Sequence, residues 1–424
     1  MNDEEAKKIE QEADRQNELD ALEPISIEEY EERVNKWLLI EDPYILRILP
    51  YHYIANCLPG DPVWLMINGA SGGGKSELLY LFNDLPKIYQ LSTLTPQTLV
   101  SGTQGKADVS LLPKLSGKII VMKDFTTIMS MQIDAQKEII SQLREIYDGR
   151  FTKAFGTGKV IDWKGKVGMI AASTEQYDMF AMYNSAMGER FIQYRLVTGD
   201  REKTADRAIT NTNNVEQMRK EMRHAMYALI KGVNFKDEVT PLPDDVRQQL
   251  IKLANLACLA RSSVIRDKGM KHEVIFVPTP EMPTRLTQQL VRFVQAAMLV
   301  RHGEVHEEDM AAVYKIALDS IPKRERAVMK QLTYKNSQTT TEIAMGIGYP
   351  TGTAHTVLED LSVRKMVDRI KGTDSEEGGT SDRWVLKEDF RDVLAFYDKI
   401  KKEEVAIDEL AKEFGGVVVP DIPM

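Results

Sequence analysis

Short apolar runs, each closed by a polar turn, mark the first half of the chain. Val63-Trp64-Leu65-Met66-Ile67, Ile119-Ile120-Val121-Met122 and Val167-Gly168-Met169-Ile170-Ala171-Ala172 carry no charge. Strands of a sheet covered on both faces read this way. Around them the spacing changes to three and four. Ser26-Ile27-Glu28-Glu29 reads as a capping box, followed by a helix with Tyr30, Val34, Trp37 and Leu38 on one face. Asp42-Pro43 ends it, and Tyr44 to Cys57 predicts a second helix. Strands and helices then alternate to about Val197, the α/β pattern. Amphipathic helices are expected over Asn213–Gly232, Asp244–Arg266, Pro283–Arg301 and Glu307–Ile321. Residues 324–390 have another rhythm, with short helices and a hairpin. Met1 to about Leu22 is so rich in charge that it reads as a solvated helix or a disordered arm.

Composition narrows the class. A chain of 424 residues has room for two or three domains, and its 43% hydrophobic and 28% charged content is that of a soluble protein. No apolar run approaches a membrane span. The start, Met1-Asn2-Asp3-Glu4-Glu5, lacks the apolar core of a signal peptide. Cys57 and Cys258 belong to no metal-ligand motif and read as buried thiols, so a cytoplasmic location is expected. The net charge of −9 argues against a broadly basic surface, but it leaves room for a local basic channel.

The candidate chemistry begins where the first apolar run ends. Gly69-Ala70-Ser71-Gly72-Gly73-Gly74-Lys75-Ser76 fits G-x-x-x-x-G-K-[ST], with a strand before it and the helical Glu77-Leu78-Leu79-Tyr80-Leu81-Phe82 after it. In that context the loop amides wrap phosphates, Lys75 neutralises the β- and γ-phosphates of ATP, and the Ser76 hydroxyl holds Mg²⁺. The second run ends in Lys123-Asp124, where an ATPase places the acid that organises Mg²⁺ and the attacking water. The usual ending is two acids, so Asp124 alone serves, and fast, slow or lost hydrolysis all stay open. The third run ends in Ser173-Thr174, whose hydroxyls can orient a water beside the γ-phosphate. Met187-Gly188-Glu189-Arg190-Phe191 then offers an arginine in a polar bend, a candidate to stabilise charge across a subunit boundary.

The order phosphate loop, acid-ended strand, polar-ended strand and Gly-Glu-Arg-Phe resembles the ATPase core of the AAA+ class. It resembles most specifically the minichromosome maintenance helicases and their relatives in bacterial mobile elements and phages. Met122-Lys123-Asp124-Phe125 stands where that family has acid-acid-Phe, and Ala171-Ala172-Ser173-Thr174 where it has alanines and an asparagine. Arg190-Phe191 matches its arginine finger. Pro283-Thr284-Arg285-Leu286, with Leu290-Val291-Arg292, is similar to its lid helix, which puts the sensor arginine at Arg285. The resemblance covers about residues 44–320. It departs at Lys123 and Thr174, and in lacking the family's large N-terminal DNA-binding region.

The resemblance implies an α/β fold with an AAA+ core and helical lid, and a role for the segment before the third run. Phe151-Thr152-Lys153-Ala154-Phe155 and Lys159-Val160-Ile161-Asp162-Trp163 predict two strands around Gly156-Thr157-Gly158, with Lys164 and Lys166 following. In the helicases such a hairpin projects into the pore of a hexamer. Lys153, Phe155, Lys159, Lys164 and Lys166 are then the DNA contacts, made without sequence choice. A solvated hairpin is the other reading.

Toward the C-terminus the pattern is that of a winged helix-turn-helix. Helices at Arg324–Leu332, from Thr339-Thr340-Thr341-Glu342 and over Thr351–Arg364 precede strands at Met366–Ile370 and Asp382–Leu386. Thr351, Thr353, His355 and Thr356 would face bases, with Arg364, Lys365 and Lys371 on phosphates. The acidic loop Asp374-Ser375-Glu376-Glu377 would repel a phosphate backbone, so a protein contact or a regulatory flap is an equal reading. The apolar tail at Val417-Val418-Val419 is expected to dock on its own or a neighbouring subunit.

The expected organisation is an acidic helical arm (1–42), an AAA+ core (43–200), a helical linker and lid (201–321), a winged helix domain (322–390) and a C-terminal helix and tail (391–424). The expected activity is an ATP-dependent helicase or translocase. It would work as a ring, a hexamer by resemblance, on single-stranded or forked DNA with replication partner proteins. Lys75, Ser76 and Asp124 would act in cis, and Arg190 from the neighbour. Two rivals stand beside it: an ATP-gated loader or switch with slow hydrolysis, and an interaction protein whose nucleotide is structural.

Overall fold

A computed structural model describes residues 3–42, 44–101, 110–184, 189–197, 199–236, 241–267, 273–372 and 381–399. The chain forms two compact units, Met1–Leu242 with Gln288–Val305, and Pro243–Thr287 with His306–Met424.

The first unit runs α1 (Asp3–Asp20), α2 (Ile27–Asn35), α3 (Tyr44–Cys57), β1 (Trp64–Asn68), α4 (Lys75–Tyr80), β2 (Ile88–Leu91), α5 (Pro96–Leu99), β3 (Ile119–Met122), α6 (Thr126–Met129), α7 (Ile133–Tyr147), β4 (Arg150–Ala154), β5 (Val160–Lys164), β6 (Gly168–Ser173), α8 (Gln176–Asn184), β7 (Phe191–Arg195), α9 (Arg201–Asn211) and α10 (Val215–Lys231). The second holds α11 (Asp244–Arg261), β8 (Ile265–Arg266), β9 (Val274–Phe276), the first turn of α12 (Thr284–Val300), α13 (Glu307–Asp319), α14 (Lys323–Tyr334), β10 (Gln338–Thr339), α15 (Thr340–Ile347), α16 (Thr351–Val363), β11 (Val367–Ile370) and β12 (Arg383–Leu386). Most of α12 belongs with the first unit.

A five-stranded parallel sheet, ordered β2-β3-β6-β1-β7, organises the first unit. Its central strands are buried along their whole length, which explains why they read as unbroken apolar runs. Parallel pairing brings the carboxyl ends of β1, β3 and β6 to one edge. Trp64, Phe125, Tyr147, Tyr177 and Phe191 pack in one core cluster. α3 is apolar almost all round and, except for Arg47, lies buried from Tyr44 to Asn56. The charged N-terminus is a helix, not a disordered arm. Its last turns dock through the buried Leu19, Arg15 on Asp84 and Glu18 on Lys220.

Three local expectations change. Ser26 caps α2 by accepting from the Glu29 N–H at 3.2 Å, but the Glu29 carboxylate pairs with Arg33 instead of closing a box. That helix ends at Asn35, so Trp37 and Leu38 lie in the turn that follows. α9 was not anticipated. Its only buried residue is Asn211, so it lacks the apolar stripe by which a helix is read.

In the second unit α14, α15 and α16 pack together beside a three-stranded sheet ordered β10-β12-β11. Ala354, Val357, Leu358 and Leu361 turn inward as expected. Thr339 and Glu342 form a reciprocal capping box, and Gly348 ends α15 at φ 68°. β10 and the β8–β9 hairpin were not foreseen; β8 and β10 have two residues each. Pro43, Met187, Gly188, the loop 374–377 and the tail 414–424 lie outside the described residues.

Candidate functional site

β1 feeds the glycine loop directly, with the Gly69 N–H donating to the Ser173 carbonyl at 3.2 Å. Gly72 and Gly74 hold φ of 77° and 81°, which L side chains rarely adopt, and a Cβ at either would meet nothing within 4 Å. The loop is therefore both left-handed and open on one side. Lys75 opens α4, and its ammonium donates to the Gly69 and Ala70 carbonyls at 2.8 and 2.6 Å. Partial burial lowers its pKa, and the Asp124 carboxylate opposes that shift. Ser76 is exposed beside it.

The strand order sets the other groups. β6 lies between β1 and β3, so Thr174, just past β6, is flanked by the loop strand and the acid-ended strand. The Thr174 Oγ1 is buried and has no hydrogen-bond partner, an unusual state for a buried hydroxyl. Asp124, two residues past β3, is exposed, and its Oδ1 accepts from the Thr126 N–H at 2.9 Å and from the Thr126 hydroxyl. Lys123 turns elsewhere, its ammonium 3.9 Å from the centre of the Tyr80 ring.

A cavity of about 300 Å³ adjoins Gly72, Gly73 and Gly74. Trp37, Leu38, Ile40, Leu196 and Met218 give it apolar walls, with Glu77 and Arg219 on its polar side. The walls are fixed by polar ties: Asn211 donates to the Trp37 carbonyl at 2.8 Å, Arg207 to the Lys36 carbonyl at 2.7 Å, and the Trp37 indole N–H to Glu221 at 2.8 Å. None of these wall residues was singled out from the sequence as part of a site. They come from α4, the turn after α2, the end of β7, α9 and α10, and no motif joins them.

The loop residues Gly69–Ser76, with Asp124 and Thr174, thus converge on one edge of the sheet. Of the two predicted catalytic arginines, Arg190 shares this unit and does not join them. Arg190 precedes β7, whose first residue pairs with Trp64, the first of β1. That is about five residues, roughly 17 Å, from the loop along the strand. Its guanidinium is paired with Asp148 at 3.0 Å and lies over the Tyr147 ring, and its carbonyl accepts from Gln289. Arg285 belongs to the second unit, where it faces Glu281 at 3.7 Å.

The predicted nucleic-acid lysines separate along the β4–β5 hairpin. Lys153 and Lys159 are near the turn; Lys153 pairs with Glu138 at 2.8 Å and lies 5.4 Å from the Phe155 ring. Lys159 donates to the Ser101 carbonyl at 3.0 Å. Phe155 packs partly against the core. Lys164 pairs with Arg150 at the base of the hairpin, away from the turn. Lys166 lies beyond it and donates to the Leu58 carbonyl at 2.6 Å, and burial pushes its pKa down to about 8. It is an anchor of the fold, and the grouping of all five as one surface does not hold.

The expected DNA face of α16 is also altered. Arg364 is buried and donates to the Ala260 carbonyl at 2.7 Å, so it is withdrawn from any phosphate. Arg266 of β8 reaches the Thr356 carbonyl, Glu359 and Asp360, covering part of the outward face. Lys365 and Lys371 stay exposed.

No protein-family model matches the chain, and no curated protein matches it. No helix among the described residues is long and apolar enough to cross a membrane.

Proposed function

We propose that the chain is an ATP-driven motor on DNA, a helicase or translocase with an AAA+ core and lid in which ATP binds along the Gly69–Ser76 loop. The observation that carries this reading is the convergence of loop, Asp124 and Thr174 on one sheet edge beside an apolar cavity. A nucleoside triphosphate needs both parts: amides and a cation for its phosphates, and an apolar slot for its base.

The loop fits the group. Its open side accepts phosphates where no Cβ intrudes, and the Lys75 ammonium exchanges two carbonyl partners for phosphate oxygens, a charge-assisted bond in place of a neutral one. Ser76 and Asp124 would hold Mg²⁺, which supplies charge neutralisation at the β- and γ-phosphates and takes few protein ligands. The unpartnered Thr174 hydroxyl is then available to orient the attacking water. Arg190 cannot reach its own loop along the strand, so in this reading it serves a neighbouring copy after leaving Asp148. That makes the working form a homo-oligomer, a hexameric ring by resemblance. Lys153 and Lys159 touch the DNA backbone, and the C-terminal unit is a winged helix with a protein-contact role.

Steady-state ATP hydrolysis with and without single-stranded DNA tests this, with Lys75→Ala as control. DNA-stimulated turnover that the variant loses is the expected result. ATP binding with negligible turnover under both conditions would sink the motor. It would favour the second reading, an ATP-gated loader or switch, whose support is Lys123: a cation stands where an acid is usual, and it rests on Tyr80.

A further inference from the structure

Glu77 is out of place in an anion site. It follows Lys75-Ser76 in the first turn of α4 and lines the cavity beside Gly72, Gly73 and Gly74. A carboxylate there repels a polyphosphate, and partial enclosure strengthens the repulsion. Arg219 of α10 answers it. Its Nε and Nη2 donate to the two Glu77 oxygens at 2.8 and 2.5 Å, a forked pair that neither uses Nη1 nor leaves the group free to swing. The guanidinium also lies 4.3 Å from the centre of the Tyr80 ring, the ring on which Lys123 rests. The Glu77 bond raises the Arg219 pKa. Arg219 is itself a wall of the cavity, and its side chain keeps 31% exposure.

The cavity is lined by the phosphate loop and by an apolar set, Trp37, Leu38 and Ile40. A nucleotide joining the two passes its α-phosphate between them. We infer that Arg219 is a nucleotide-contacting residue, a cation that binds the α-phosphate in cis and is pre-set for that contact by Glu77 and Tyr80. This rests on the reading of Gly69–Ser76 as a phosphate cradle. It adds a ligand from α10 that no loop motif contains. It also gives Glu77 a purpose: held by the fork, the arginine binds without first being ordered.

Isothermal titration of the full-length protein with ADP and with ATP, alongside thermal melting, tests the inference. Arg219→Met keeps the apolar stem and is expected to weaken both nucleotides by tenfold or more, by the same factor, because both carry the α-phosphate. Arg219→Lys should recover part of the loss, and Glu77→Gln should cost only a few-fold, since the cation remains but is less ordered. Wild-type affinity in Arg219→Met would overturn the inference even if that variant melts early. So would restored affinity in the Glu77→Gln/Arg219→Met double variant, which would reduce Arg219 to a neutraliser of Glu77. A wild-type protein that binds neither nucleotide removes the cradle itself, whereas binding that Arg219→Met matches removes this inference alone.

Discussion

The two edges of the parallel sheet are built to opposite rules. At the amino-terminal edge polar groups are tied to the backbone: the His52 Nε2 lies 3.0 Å from both the Val63 and Met169 carbonyls. Asn56 accepts from the Val63 N–H at 3.0 Å, and the Trp64 indole donates to the Val167 carbonyl at 2.7 Å. At the carboxyl-terminal edge the Thr174 hydroxyl has no partner, Lys75 holds its own loop, and the glycines face open space. The first edge ties side chains to strand backbone, although the His52 Nδ1 has no partner, and the second presents a loop open to a ligand. In open α/β sheets, ligands bind outside the carboxyl ends of the strands.

Breaking the open edge should abolish chemistry and spare the fold, and breaking the closed edge should do the reverse. The largest effect is expected from Lys75→Ala: loss of ATP binding by at least a hundredfold with little change in melting, read by titration and calorimetry. Next is acid. Burial pushes the His52 pKa down to about 4 from 6.5, so between those values the unfolded chain binds a proton that the folded protein refuses. Stability should therefore fall as pH drops from 6.5 to 4, by about 3 kcal/mol at most, and His52→Gln should flatten that slope in denaturant titrations. Gly168→Ala at the same edge brings a Cβ to 2.6 Å from the Asn56 Oδ1 and 3.1 Å from Ile119. It should cost roughly 2–3 kcal/mol while leaving ADP affinity of the folded protein intact. Thr174→Ala at the open edge should slow turnover about tenfold and shift stability by less than about 0.5 kcal/mol, because its hydroxyl supports nothing. The smallest effect belongs to the hairpin. Lys153→Ala with Lys159→Ala should weaken single-stranded DNA several-fold and reduce the salt slope by about 1 for each phosphate no longer neutralised.

What the sequence discloses follows the same division. The strands of the sheet are legible because burial on both faces leaves only apolar residues, and the glycine loop because its conformation restricts residue type. The β4–β5 hairpin and α16 appear where the pattern places them. The cavity walls are not legible. Glu77 and Arg219 are 142 residues apart, and only folding makes them a pair. Arg364 shows the converse error: an arginine ending a helix resembles a phosphate ligand until the Ala260 carbonyl claims it. Lys166 fails in the same way against Leu58. Long cations carry no mark in the sequence that separates a surface contact from a buried tie.

Trp37 carries one more consequence. Of the four tryptophans, Trp64, Trp163 and Trp384 are buried elsewhere in the fold, while Trp37 lines the cavity with its indole N–H held by Glu221 and the Lys36 ammonium 4.9 Å from its ring. Its emission is set by two charges, and a stacked base would quench it. On the proposed nucleotide reading, a protein with Trp37 as its sole tryptophan would report occupancy of the cavity in real time, without a label.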